Sequence, residues 1–122
     1  MANDFQMQLS VDLTSGWINF AQDIDNLVGQ SAFQIERDAK IDCPKATGTL
    51  AGSIEARNQS DMWAGGQPDI IWTIGPSAEY GIFVEFGTIY MRERPYLFPA
   101  AEREEPRLQK AIQQLVKVVD RG

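Results

Sequence analysis

Glu79 and Glu85 flank a short run that contains Tyr80 and Phe83, with Phe86 directly after it. Two carboxylates across a short element could serve a glycosidase, one as acid and the other as base or nucleophile. In a chain with 17 acidic residues, two neighbouring Glu need no such role. Cys43 is the single thiol, and a nucleophilic thiol needs an adjacent base. The chain has no His, which removes the commonest general base and the commonest metal ligand together. Gly65, Gly66 and Gly75 lack the spacing and the following Lys of a phosphate-cradling loop. Asp61, Asp69 and Glu79 do not follow the spacing of a calcium loop. These residue types point away from an enzyme and from any cofactor or metal.

What remains is contact chemistry. Arg92-Glu93-Arg94 stands beside Tyr90, Tyr96 and Phe98, and Arg with aromatic residues are the types enriched at protein interfaces. Pro95 fixes its own φ and stiffens this segment. Phe83, Phe86, Tyr90, Tyr96, Phe98 and three Trp are many large apolar groups for 122 residues, so part of this set is expected to be buried only on assembly. Trp63 sits in a polar loop, either folded back on the core or exposed as an anchor for a partner. Asp23, Asp25, Glu36 and Asp38 are the acids expected to meet Arg92 and Arg94 on a neighbouring copy. Gly87 and Thr88 interrupt the aromatic run, and residues 85 to 88 are expected to form a tight turn that needs glycine.

The elements that carry these residues show in the hydrophobic pattern. Residues 5 to 13 alternate apolar and polar without a fault, which predicts a half-buried strand. Thr14 or Ser15 offers a helix cap. From Trp17 the apolar spacing changes to three and four, through Ala21, Ile24, Leu27, Val28, Ser31, Ile35 and Ala39, predicting a helix to about Asp42. Gly29 inside it marks a close approach to the sheet, and Pro44 ends it. Residues 46 to 54 are small and turn-rich. Ile54 opens a strand, residues 58 to 69 read as a hairpin loop, and residues 69 to 74 return as the second strand, closed by Gly75-Pro76. Residues 80 to 86 have the composition of a strand or of a tightly packed short element. A second helix begins near Pro99, with Pro106 expected to kink or restart it. The expected fold is α+β, a mostly antiparallel sheet packed against one long N-terminal helix and one C-terminal helix.

Length and composition agree with one domain spanning residues 1 to 122. A net charge of -6 and 43% apolar residues describe a globular acidic chain, not one that grips nucleic-acid phosphates. One cysteine implies a reducing compartment. Residues 1 to 10 lack the pattern of a signal peptide, and no apolar run is long enough to span a membrane.

Four pieces of sequence then fall in a telling order. CPKATGTLAGSI covers residues 43 to 54, followed by Gly75-Pro76, by YGIFVEFGT over residues 80 to 88 and by RPYLFPA over residues 94 to 100. In this order they resemble the small neck proteins of long-tailed bacteriophages, the gene-ten family named after coliphage Hong Kong 97. The likeness covers roughly residues 28 to 118; the longer N-terminal strand and Pro106 depart from it. The resemblance implies a structural tail-completion protein without catalytic activity, assembled in the host cytoplasm and located in the virion neck. It implies a homo-oligomeric ring of six or twelve copies joining head to tail, with head-closure and tail-terminator or tail-tube proteins as partners. DNA would pass through the ring without specific binding. The expected contact residues are Trp63, Tyr80, Phe83, Glu85, Phe86, Gly87, Thr88, Tyr90, Arg92, Arg94, Pro95 and Tyr96. A tail terminator or adaptor that never surrounds DNA, and an acidic inhibitor that mimics DNA, are the alternatives.

Overall fold

The computed structural model describes residues 6–12, 18–44, 48–61, 69–77, 81–89 and 92–121. The faultless alternation near the N-terminus forms strand β1, Met7–Asp12. The three-and-four spacing forms helix α1, Ile18–Asp42, with the expected caps Thr14 and Ser15 outside the described residues. Strands β2, Ile54–Asn58, and β3, Asp69–Pro76, complete an antiparallel sheet of order β1-β3-β2. Three short or long helices complete the described elements: α2, Gly48–Ser53, α3, Gly81–Phe86, and α4, Phe98–Arg121. The fold is α+β, as the hydrophobic pattern indicates.

One face of the sheet is the floor of the core. The register sets Leu9 opposite Trp72 and Met7 opposite Ile74, while Ala56 lies on the other side of Ile74. Ala21, Ile24, Val28, Ala32, Ile35 and Ala39 of α1 are buried against this face. Alternate residues, among them Gln8, Ser10, Glu55 and Arg57, point away and are exposed, the arrangement expected when only one face of an antiparallel sheet is covered. Gly29 is where helix and sheet meet most closely. A Cβ there would stand 2.7 Å from Trp72 Cζ2, so the lower helix propensity of glycine, about 1 kcal/mol against Ala, is offset by the room it leaves for the indole.

Asp25 occupies the polar gap in this core. Its carboxylate accepts hydrogen bonds from Trp72 Nε1 at 3.0 Å, Ser60 Oγ at 2.7 Å and Asn58 Nδ2 at 3.3 Å. Buried carboxylates persist only with such partners. Asp25 is therefore removed from the set of acids that could meet Arg92 or Arg94 on another copy. Glu36 is partly engaged as well, accepting the backbone N–H of Ala56 at 2.7 Å.

One expectation changes and two open ones are narrowed. Residues 48–53, expected as turns, form α2, which buries Leu50 and has Ser53 Oγ bonded to the Leu50 carbonyl at 2.8 Å. Of the two readings of the aromatic run, a strand or a tightly packed short element, the structure has the second, as helix α3. Helix α4 continues through Pro106 without restarting. Pro106 is exposed, and the carbonyl that lacks its donor belongs to exposed Glu102, where water can serve. Half-buried Leu108, Ile112 and Leu115 beyond it still pack towards the core.

Candidate protein-interaction site

Helix α3 has its polarity inverted. The carboxyl group of Glu85 points inward and is buried, whereas Ile82, Phe83 and Phe86 are exposed, the two Phe by 52% and 55%. Local chemistry explains how so short a helix holds this orientation. Gly87 adopts φ 80°, the left-handed region in which glycine has no side-chain penalty, and its N–H bonds the Phe83 carbonyl at 2.7 Å. This is the left-handed C-terminal cap of a helix. The next free carbonyl, that of Val84, accepts the backbone N–H of Arg94 at 2.8 Å. The tight turn expected at residues 85 to 88 is therefore present, as the end of a helix.

The inward carboxylate reaches the start of α4. Glu85 Oε1 accepts the N–H groups of Tyr96 at 3.0 Å and Leu97 at 2.9 Å, and Oε2 accepts that of Phe98 at 3.2 Å. The first N–H groups of a helix have no partner within it, and the helix dipole favours negative charge there. Glu85 satisfies both conditions from a different element. Tyr96 returns the connection: its fully buried side chain donates from Oη to the Gly81 carbonyl at 3.0 Å. Burial, with the negative charge of Glu85 as a smaller cause, pushes the Cys43 thiol above its ordinary range.

These bonds correct part of the expected contact set. Glu85 and Tyr96 are internal braces and present no surface. The sequence around them shows only that carboxylate and phenol are near Arg and Phe, and no periodicity marks the inward turn. Phe83, Phe86, Thr88, Arg92, Arg94 and Pro95 are exposed. Trp63, Tyr80 and Tyr90 lie outside the described residues.

Two exposed residues missed by sequence reasoning extend the patch. Ile89, directly after the turn, is 91% exposed, and Ile82 stands on the same short helix. Phe86 packs against Phe98 with ring centroids 5.7 Å apart, joining the patch to the first turn of α4. Neither the Arg92 nor the Arg94 guanidinium makes an ion pair with a described residue. Contiguous apolar surface rimmed by polar residues marks sites of protein contact. Among the described residues no group of three or more Cys, Asp or Glu could hold a metal ion, and no helix is long and apolar enough to cross a membrane. Comparison with family models, with curated proteins and with solved structures finds no match for this chain.

Proposed function

We propose that this chain is a structural assembly protein of a long-tailed phage, a small neck component that associates through α3 and the strap formed by residues 92–97. The observation that carries the reading is the inversion of α3, which turns Phe83 and Phe86 to solvent while Glu85 locks the helix in place. A free monomer gains nothing from exposing these rings, whereas an interface buries them at about 25 cal/mol per Å2 of apolar surface. Because the strap is already ordered by internal bonds, less conformational entropy is lost on docking.

A closed ring needs a heterologous contact, one patch meeting a different patch on the next copy. Helix α1 supplies a counterpart in exposed Ile41, in exposed Phe33, whose ring packs edge-on to Trp72, and in the exposed acid Asp23, whereas Asp42 is already paired with Arg103 at 2.6 Å. Phe33 and Ile41 would meet Phe83, Phe86 and Ile89, while the Asp23 carboxylate would meet Arg92 or Arg94. The net charge of -6 suits a channel through which DNA slides, since few phosphates would find a cation to bind.

The decisive experiment deletes the coding sequence from the phage genome that carries it and images the lysate by electron microscopy. Filled heads and free tails that fail to join, rescued by the chain supplied in trans, are expected. Normally joined particles without the chain would overturn the neck reading. Joined but leaky particles that lack no ring at the neck would instead indicate an adaptor outside the DNA channel.

A further inference from the structure

The two edges of the sheet are not equivalent. Ile71 and Ser77 bond Gln59 and Ser53 across the β2 side, so the odd-numbered residues of β3 serve β2 and the even-numbered ones serve β1. With Leu9 opposite Trp72 and Met7 opposite Ile74, the backbone groups of Gln8 and Ser10 point outward from β1. Among the described residues no strand or side chain bonds them. The opposite edge is closed: the outward N–H of Ala56 in β2 is held by the Glu36 carboxylate at 2.7 Å. A carboxylate laid on an edge strand is a device that blocks further pairing. It protects β2 and, among the described residues, leaves β1 open.

Beside the open edge lies a groove of about 510 Å3. Four consecutive residues of β1, from Met7 to Ser10, border it, so the strand presents its edge there as well as one face. Helix α4 forms the far wall with Phe98, Ala101, Leu108 and Ile112. Glu102 and Glu105, both exposed, stand at the rim on the same helix.

We infer that this groove receives an extended segment of another protein, which adds a strand to β1, lays alternate apolar side chains on α4 and sets Lys or Arg against Glu102 and Glu105. The backbone supplies the affinity: N–H groups of the guest donate to the Gln8 and Ser10 carbonyls, and its carbonyls accept from their N–H groups. Strand addition to a free sheet edge uses this bonding, with alternate side-chain pockets giving specificity. Charge disfavours β1 of a second copy as the guest. β1 carries no Lys or Arg and ends in Asp12, with Asp4 shortly before it in the sequence, so a second β1 would bring carboxylates to carboxylates. The groove adjoins the α3 patch at Phe98 and functions whether or not copies close a ring.

The test uses the full chain, 15N-labelled, and two synthetic peptides of alternating Val and Thr, one with Lys at both ends and one with Glu. The Lys-ended peptide is expected to bind saturably below about 1 mM, to shift the Gln8 and Ser10 amides and to slow their hydrogen exchange. The Glu-ended peptide should bind at least about fivefold more weakly at low salt. Ser10→Pro removes an outward N–H without breaking a bond to β3, a position where an edge strand tolerates proline, and should weaken binding about tenfold or more. The exposed pair Glu102→Lys and Glu105→Lys should invert the preference between the peptides, and this holds even if the proline variant fails to fold. No saturable shift at Gln8 and Ser10, equal binding of both peptides, or a preference unchanged by the Lys pair would overturn the proposal. So would a dimer that pairs β1 with β1 and that the peptide cannot displace.

Discussion

The carboxylate of Glu85 accepts the backbone N–H of Tyr96 at 3.0 Å, and Tyr96 sends its hydroxyl back to the carbonyl of Gly81 at 3.0 Å, at the start of the helix that carries Glu85. The two residues close a loop of polar bonds in the interior, so that α3, the strap and the first turn of α4 form one braced unit. Exposed Arg92, Arg94 and Pro95 are the outside of that unit. An interface built on it has a fixed base.

Truncating the brace should therefore loosen the whole unit. Glu85→Ala leaves three N–H groups without their charged acceptor, and a bond to a charged group contributes about 1.5 to 3 kcal/mol. We expect a loss of about 3 kcal/mol or more in urea unfolding. Glu85→Gln keeps one acceptor oxygen and should lose roughly half as much. Equal stability of wild type and both variants would show that the N–H groups find water instead.

Gly87 should tolerate no side chain without strain. At φ 80° a Cβ meets the following carbonyl, at about 1 to 2 kcal/mol. Gly87→Ala is expected to lower stability by that amount, and Gly87→Val, being β-branched, by more. Circular dichroism melts of the two variants provide the check; an Ala variant as stable as wild type would mean that the turn relaxes to another geometry.

Much of this fold was legible in residue order, and the limits have physical causes. The alternation around Leu9 and the spacing from Ala21 to Ala39 mark β1 and α1 directly, because each buries one face against the other. Gly29 announced its contact with Trp72 by standing in a helix that otherwise disfavours it. Residue order leaves α3 open between a strand and a packed short element, because Ile82, Phe83 and Val84 are strand-favouring types. Its helical state comes from tertiary bonds, namely the cap at Gly87 and the reach of Glu85 to α4. The same cause misplaced Glu85 and Tyr96 on the contact surface. An Arg-rich aromatic segment looks alike from sequence whether its Tyr faces a partner or finds a buried carbonyl.

Cys43 should behave as a buried neutral thiol. Desolvation, and then the nearby charge of Glu85, raise its pKa above the ordinary 9.0. The folded chain thus holds its proton to higher pH than the unfolded chain does. The resulting stability is fully present below the unfolded pKa and is lost as pH rises through the higher folded value. Stability measured from pH 8 to pH 10.5 should fall more steeply in wild type than in Cys43→Ala. Parallel curves would show that the thiol does not contribute. Disulfide-reagent labelling at pH 8 should likewise be slow until urea exposes the thiol.

Arg94 separates a contact residue from a brace. Its backbone N–H holds the Val84 carbonyl at 2.8 Å, a bond that Ala keeps, while its exposed guanidinium pairs with no described residue. Arg94→Ala should consequently melt within about 0.5 kcal/mol of wild type, as surface changes do. If the guanidinium meets a carboxylate on a neighbouring copy in a buried pair, association should weaken by roughly 2 to 5 kcal/mol. Arg94→Lys should recover only part of that loss, because an ammonium cannot pair with a carboxylate through two parallel bonds. Sedimentation velocity across a concentration series, run on the variants used for melting, reads the two effects separately. A lowered melting temperature with unchanged association would show that Arg94 stabilises its own chain and makes no assembly contact.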